Sequence, residues 1–403
     1  MKINMALTPK SFFLVAYWHD PHWKQFAGAT VKVLDLANNL TMLGNKVTLF
    51  IPAYNFNKKH IFSNIVEIPF LDLPVLRFLS FNFFLFLILL KSSIKQQPDI
   101  VYVRRMQSVV PLLIAKLLKI KFFFEVNDDP YRQLYHSGSH LLFKIKSKIA
   151  TKMDEINLKV CNKAFIVTDE IKDRIMNKNP LLEYEKLITI NSGANTKLLK
   201  PLNKPECCKK IGIDPNKNYI GFLGTIFEHS GLDVLIACSK QVLNKISDAE
   251  FLIFGDGPQK KSLVDKTKDI GINHKFKFFG QLDYLDLPIF LGATDVCVAP
   301  FLEMSDTNSA TKIFDYLACG KPVVASNIKN KENIFAESKT VYCVKPGDPN
   351  MLADAIIYLL RNKKYANEMG ERGRSFIVSN YSREEIARKI ASFADSSCDN
   401  FVN

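Results

Sequence analysis

Lys312 and Asp315 stand three residues apart in the stretch SATKIFDYLACGKPVVAS, residues 309 to 326. In a helix that spacing puts an ammonium and a carboxylate on one face. Close to the helix start, unpaired backbone N–H groups add a preference for phosphate. One face can then grip a phosphate at one end and a sugar hydroxyl at the other. Gly320 suits a helix stop, and KPVVAS supplies the β-branched run of a parallel-sheet strand.

Glycines recur just after apolar runs: Gly224 after NYIGFL, Gly255 and Gly257 in FLIFGDGP, and Gly280 after KFKFF. A glycine in a strand-to-helix turn lets backbone amides approach a phosphate. Gly-Asp-Gly-Pro is not a dinucleotide fingerprint, because Lys260 replaces the third glycine and no acid closes KFKFFG. Gly255 and Gly257 are therefore read as a structural turn. FEVNDDP, residues 124 to 130, brings Glu125, Asn127, Asp128 and Asp129 to the carboxyl end of a strand, where α/β sheets bind ligands. Asp128 and Asp129 have the oxygens for a divalent cation, but loop capping or contacts to substrate hydroxyls are the preferred reading. His19, His22 and His229 fall in loop-like regions where an acid or base can sit. No Ser/His/Asp spacing or HExxH accompanies them, so solvent-facing histidines are the default.

Strand-like and helix-like segments alternate along the chain, the mark of α/β domains with parallel sheets. Strands are expected in FFLVAYW, KVTLFIP, DIVYVR, KFFFEVN, KAFIVT and KLITIN, with an amphipathic helix in TVKVLDLANNLTML ended by Gly44. The rhythm returns in NYIGFLG, AEFLIFG, KFKFFG, VCVAP, KPVVAS and TVYCV. Between the halves, residues 200 to 218 (KPLNKPECCKKIGIDPNKN) read as a linker. Residues 382 to 395 read as a last helix, with Ser382 and Glu385 as a capping box. A chain of 403 residues exceeds one core. The expected domains are 1–199, 200–378 and a C-terminal helix and tail, 379–403.

Residues 1 to 200 hold 28 Lys and Arg against 15 Asp and Glu, while the remainder holds 26 against 25. A positive charge confined to one half suits an anionic surface, such as acidic lipid headgroups, or else reflects a Lys-rich bias. Two segments fit the first reading. Residues 72 to 95 predict a helix with Asp72 as N-cap and Pro74 in its first turn, apolar nearly all round, as in a core or an interfacial membrane helix. Its most apolar part, residues 78 to 90, spans about 20 Å as a helix, short of the ~30 Å hydrocarbon core. LLFKIKSKIATKMDEINLKV, residues 141 to 160, interleaves five lysines with an apolar stripe, fitting a membrane-facing helix or a solvated face over a core. Few aromatics sit among those lysines, so nucleic acid is not an expected partner. Eight cysteines without metal-ligand spacing argue for a reducing cytosol and against structural zinc. MKINMALTPKSFFLVAYWHD carries no legible cleavable signal, so export is not expected.

Taken in order, FLGTIFEHSGLDVLIACS, FLIFGDGP, FKFFGQL, ATDVCVAP and ATKIFDYLACGKPVVAS resemble the donor domain of the retaining GT-B glycosyltransferases of family 4. Gly28 before TVKVLDLANNLTMLGNKVTLFIP resembles the opening of the family's acceptor domain, and INSGANTKLLKP the segment before the crossover. The resemblance implies an α/β GT-B fold: two facing Rossmann-like domains with parallel sheets, the active site in the cleft, and a C-terminal helix crossing back to the first domain. It also implies a metal-independent transfer from a nucleotide-sugar donor to a glycan or lipid-linked acceptor, with retention at the anomeric carbon and no cofactor. That activity would belong to surface polysaccharide or glycolipid biosynthesis, cytoplasmic and peripheral on the inner face of the plasma membrane. Alternatives are an epimerase or hydrolase of the same fold, or a non-catalytic nucleotide-binding protein.

Carried over residue by residue, Asp315 stands where the family's ribose-binding Glu is usual, and Thr307 where a second Glu reaches the hexose, with Asp306 or Glu303 as replacements. Thr225 and Ser230 occupy the places of the diphosphate-binding Arg and Lys. Lys312 is the candidate replacement charge, helped by backbone amides near Gly28, Ser309 and Ala310. Asn127, with Asp128 beside it, stands where many members have His. The resulting catalytic candidates are Asn127, Asp128 and Lys312. The donor-binding candidates are Gly28, Gly224, Thr225, Gly280, Thr307, Ser309, Ala310, Thr311, Lys312 and Asp315.

Overall fold

The computed structural model describes residues 8–17, 28–53, 64–73, 76–131, 141–302, 311–327, 335 and 338–395. They divide into two compact units: unit 1 runs through Asn191 and resumes at Glu384, and unit 2 is Ser192–Arg383.

Unit 1 is built on seven strands: β1 (Ser11–Val15), β2 (Lys46–Pro52), β3 (Ile65–Ile68), β4 (Ile100–Arg104), β5 (Lys121–Val126), β6 (Lys163–Ile166) and β7 (Leu187–Thr189). They lie in the order β3-β2-β1-β4-β5-β6-β7, every pairing parallel. Near-continuous apolar runs such as FFLV and IVYV fit strands buried on both faces. The helices are α1 (Gly28–Met42), α2 (Leu76–Gln96), α3 (Val110–Leu117), α4 (Leu141–Val160) and α5 (Asp169–Lys178). Phe13, Phe50, Phe122 and Phe124 of the sheet form one core with Phe81, Leu85 and Leu89 of α2, Leu112 of α3, Leu158 of α4 and Ile171 of α5. The helices α2 to α5 thus form one layer on one face of the sheet. Strand order reverses between β1 and β4, which makes the carboxyl ends of those strands a topological switch point.

Unit 2 repeats the plan with β8 (Asn218–Leu223), β9 (Ala249–Phe254), β10 (Phe276–Gly280), β11 (Val296–Ala299), β12 (Val323–Ser326) and β13 (Tyr342–Val344). Their order is β10-β9-β8-β11-β12-β13, again all parallel, with the switch between β8 and β11. Its helices are α6 (Lys204–Ile211), α7 (Leu232–Lys245), α8 (Lys260–Asp269), α9 (Leu287–Gly292), α10 (Thr311–Ala318), α11 (Pro349–Arg361) and α12 (Lys363–Asn380). The last helix, α13 (Arg383–Ser392), returns the chain to unit 1. There Phe393 packs 5.8 Å from Phe165, and Lys121 donates to the Ala394 carbonyl at 3.0 Å.

Three expectations need correction. The segment 200–218 is not a linker: it contains α6, whose Asn203 cap accepts from the Glu206 amide and whose end is the left-handed Gly212. Lys204 fastens this helix to Asp295 at 2.7 Å, and Cys207 and Cys208 bury against unit 2, so a polar composition concealed an integral element. Asp72 is ion-paired with Arg77, whose amide closes a helical bond on the Leu73 carbonyl at 2.8 Å, so the cap position falls to Leu73 rather than Asp72. The length argument against a membrane crossing also falls, because 21 residues of helix span about 32 Å. What opposes a crossing is packing: Phe81, Leu85 and Leu89 are wholly buried in the unit 1 core.

Asp395 closes unit 1 by accepting from the Thr8 hydroxyl at 2.5 Å and pairing with Lys10 at 3.2 Å. These partners, Thr8 foremost, hold its carboxyl below the usual range. A depressed carboxylate pKa contributes stability above the unfolded value, and that contribution is lost as pH falls through the folded value. Asp395→Asn is therefore expected to lower the thermal midpoint at pH 7, with the gap to the wild type closing once the pH drops below about 3.9. A gap that persists unchanged in acid would contradict this assignment, as read by thermal melts across pH.

Candidate functional site at the carboxyl edge of unit 2

β8 and β9 each end in a turn that the next strand holds by backbone hydrogen bonds. The Gly224 amide donates to the Phe254 carbonyl at 2.9 Å, Ile226 to Asp256 at 2.9 Å, and Gly255 to Gly280 at 2.7 Å. Such close approach needs glycine at Gly255, where φ is +141° and a Cβ would meet the Gly224 oxygen at 2.0 Å. The expected structural turn at Gly255 and Gly257 is what the structure has.

Ser230, in the place of a family lysine, is buried and internal: its hydroxyl donates to the Thr225 carbonyl at 2.7 Å and accepts from the Phe227 amide at 3.2 Å. It shapes the loop after β8 and leaves Thr225 exposed. His229 in the same loop stacks on Phe227 with ring centroids 5.4 Å apart.

Lys312 lies in the first turn of α10 and is half-buried. Its ammonium stands 4.0 Å from the centroid of the Phe222 ring at the end of β8 and 4.8 Å from that of Phe301. Gly224 makes room for it, since a Cβ there would lie 3.0 Å from Nζ. Asp315 follows one turn later with 5% of its surface exposed, and Thr311 precedes at half burial. The helix is pinned by Tyr316, whose hydroxyl accepts from the Leu223 amide at 2.7 Å and donates to the Val298 carbonyl at 3.2 Å. Burial pushes this phenol well above its ordinary value, keeping it a neutral donor.

Sequence reasoning missed Tyr316, although its position four residues after Lys312 in an apolar turn was the available signal. It also passed over Lys260 as a second cation at this edge. Lys260 pairs with Asp256 at 2.8 Å beside Gly280, and with the Gly257 amide this holds the Asp256 carboxyl below its ordinary range.

The structure thus brings together Gly224, Thr225, Gly280, Thr311, Lys312 and Asp315 in unit 2. Thr307, Ser309, Ala310, Glu303, Asp306, His19 and His22 lie outside the described residues. Gly28 opens α1 in unit 1. Asn127 and Asp128 follow β5 in unit 1, both half-buried. Of the readings offered for Asp128 and Asp129, the structure gives Asp129 the preferred one, loop capping. Asp129 is buried, takes Arg174 at 2.7 Å and the Tyr131 amide at 2.8 Å, and caps its loop. Glu125 likewise accepts from the Tyr102 hydroxyl at 2.9 Å. Among the described residues, no three His, Cys, Asp or Glu side chains group as metal ligands do.

Residues 203–376 match the family model described as Glycosyl transferases group 1, and residues 26–198 match that of Glycosyltransferase Family 4. Among curated relatives, the 2-deoxystreptamine N-acetyl-D-glucosaminyltransferase of Niallia circulans is 25% identical over 56% of this chain and 57% of its own. A GDP-mannose-dependent monoacylated phosphatidylinositol monomannoside mannosyltransferase of Corynebacterium glutamicum is 26% identical over 51% of this chain and 55% of its own. The chain thus spans about half the length of these curated relatives. The structure of HepE from Anabaena in complex with UDP superposes with a TM-score of 0.72 at 15% identity, covering 94% of this chain and 98% of that one.

Tyr316→Phe should strand the Leu223 amide and the Val298 carbonyl, at a cost of about 1–3 kcal/mol. Denaturant titration of the unit 2 transition checks it, and an unshifted midpoint would show that the hydroxyl does not pin the helix.

Proposed function

Because the chain belongs to the glycosyltransferase family whose two halves are the Glycosyltransferase Family 4 and Glycosyl transferases group 1 domains, we propose that it moves a hexosyl group from a nucleotide sugar to a glycan or lipid-linked acceptor, with retention at the anomeric carbon. The observation that carries the donor half of this reading is the seat of Lys312 at the carboxyl edge of unit 2, one helical turn before Asp315.

In this reading Lys312 binds the diphosphate together with the Thr225 amide, Gly224 leaving the space for it, and Asp315 accepts from the ribose hydroxyls. Gly280 and Thr311 line the same edge, and Gly28, Thr307, Ser309 and Ala310 complete the donor set. As the anomeric carbon–oxygen bond breaks, both electrons leave with the diphosphate oxygen. The growing negative charge falls where an ammonium and N–H donors already point. The acceptor hydroxyl bonds to the same face of the sugar, and its proton passes to the departing phosphate oxygen. Asn127 and Asp128 orient that acceptor. No protein nucleophile, metal or cofactor is required.

The uridine nucleotides are the first donors to test, since HepE holds UDP. Membrane-borne acceptors are the first to test on the other side, since the Corynebacterium relative acts on an acylated phosphatidylinositol mannoside. The protein then works in the cytoplasm at the inner face of the plasma membrane.

Calorimetry against UDP-sugars and GDP-mannose is expected to find one donor that binds the wild type. Replacing Lys312 by Ala should weaken it roughly 10- to 100-fold through loss of a charged contact worth about 1.5–3 kcal/mol, with Arg restoring part. Unchanged affinity in the alanine variant would sink the site assignment. Nucleoside diphosphate released without any acceptor, at the rate seen with one, would favour an epimerase or hydrolase instead.

A further inference from the structure

The outer side of α2 and α3 is apolar where a water-facing surface should not be. On α2, Leu79 is 61% and Phe83 60% exposed, and Leu76, Phe86, Leu87 and Ile94 continue the same stripe at intervals of three and four residues. The opposite stripe, Phe81, Leu85 and Leu89, is in the core, so this helix has two apolar faces and the protein covers only one. α3 packs beside it and adds Leu113 and Leu117, the latter 68% exposed. Contiguous exposed patches of this kind mark interaction sites.

Charge identifies the occupant. Residues 76 to 96 contain no acid, and exposed Lys91, Lys95, Lys116 and Lys119 stand around the apolar stripe. α4 lies in the same helical layer, joined through Asn157 to the Ser108 carbonyl and from Ser108 to Asn82 of α2. It presents four further exposed lysines, Lys144, Lys146, Lys148 and Lys159, while Lys152 is paired with Glu155 at 3.2 Å. An apolar strip set in cations, with its inner face locked into a core, is the form of an interfacial element on anionic lipid.

We propose that the outer face of α2 and α3 docks unit 1 onto an anionic lipid bilayer, its apolar strip entering the headgroup boundary without crossing it. α2 runs opposite to the parallel strands, so its first turns lie at their carboxyl edge, where Tyr17 after β1 packs 5.4 Å from Phe78 and 4.6 Å from Phe81. The docked strip therefore reaches the edge that carries Asn127 and Asp128. On the proposed transferase reading, an acceptor head group anchored in the bilayer arrives at that edge directly. The docking itself does not rest on that reading.

The test is co-sedimentation of the intact chain with vesicles of 30% phosphatidylglycerol in phosphatidylcholine, and with phosphatidylcholine alone. The wild type should pellet with the anionic vesicles and less with the neutral ones, and added salt should weaken binding without abolishing it. Leu79→Glu, Phe83→Glu and Leu87→Glu together should reduce the partition at least about tenfold. Melting and donor-induced thermal shift should stay unchanged, since these side chains touch water. If the triple variant misfolds, the pair Leu79→Ser and Phe83→Ser carries the same expectation at smaller size. A wild type that ignores both vesicles, or variants that pellet like it, would overturn the proposal. So would a wild-type dimer that the same substitutions split, which would give the face to a second copy. Turnover on a lipid-free acceptor tests the transferase reading separately, because it needs no vesicle.

Discussion

An ammonium held against an aromatic ring at the end of a buried strand is the contact around which the unit 2 edge is organised. A ring face attracts a cation through its quadrupole, by about 2 kcal/mol when desolvated, without cancelling its charge as a carboxylate would. Lys312 is seated over Phe222 in this way, 4.0 Å from the ring centroid. The contact constrains its surroundings in turn. A φ of +135° favours glycine at position 224, where a Cβ would also crowd Nζ at 3.0 Å, and only Gly255 lets the next turn close over the Gly224 carbonyl. Tyr316 ties the same helix to β8 and β11, so the charge is fixed relative to two strands at once.

Unit 1 spends its charged groups differently. At its carboxyl edge Asp129 is consumed by Arg174, Glu125 by the Tyr102 hydroxyl, and Asp154 by Arg105 at 2.7 Å, with burial pushing the Asp154 carboxyl upward against the pull of its partner. These pairs hold loops in shape. On the proposed reading such an edge orients a hydroxyl, and the departing phosphate takes the proton. The basic character of the first half resides instead in exposed lysines of the helical layer, on α2, α3 and α4.

Much of this was legible from residue order. Continuous apolar runs such as KVTLFIP became parallel strands because a strand buried on both faces needs no polar alternation. LLFKIKSKIATKMDEINLKV became one helix, Leu141–Val160, because its stripe has the helical period. Other elements escaped. IVEI is too short and mixed to announce β3, and α6 was hidden in a Pro- and Lys-rich run whose cap and buried cysteines have meaning only against Asp295 and Gly292.

The types and spacing of Lys312 and Asp315, the glycines after the strands, and the family they signal are properties of local order, and the sequence carried them, because helical periodicity and turn geometry act over a few residues. Which side chains those groups meet was left to the tertiary structure. Ser230 turned inward to hold Thr225, Asp129 became a loop cap, Tyr316 became the pin of the donor helix, and one stripe of α2 was buried while the other stayed bare. Except for Ser230, whose partners lie three and five residues away, those outcomes depend on contacts between residues tens of positions apart, and no local spacing encodes them.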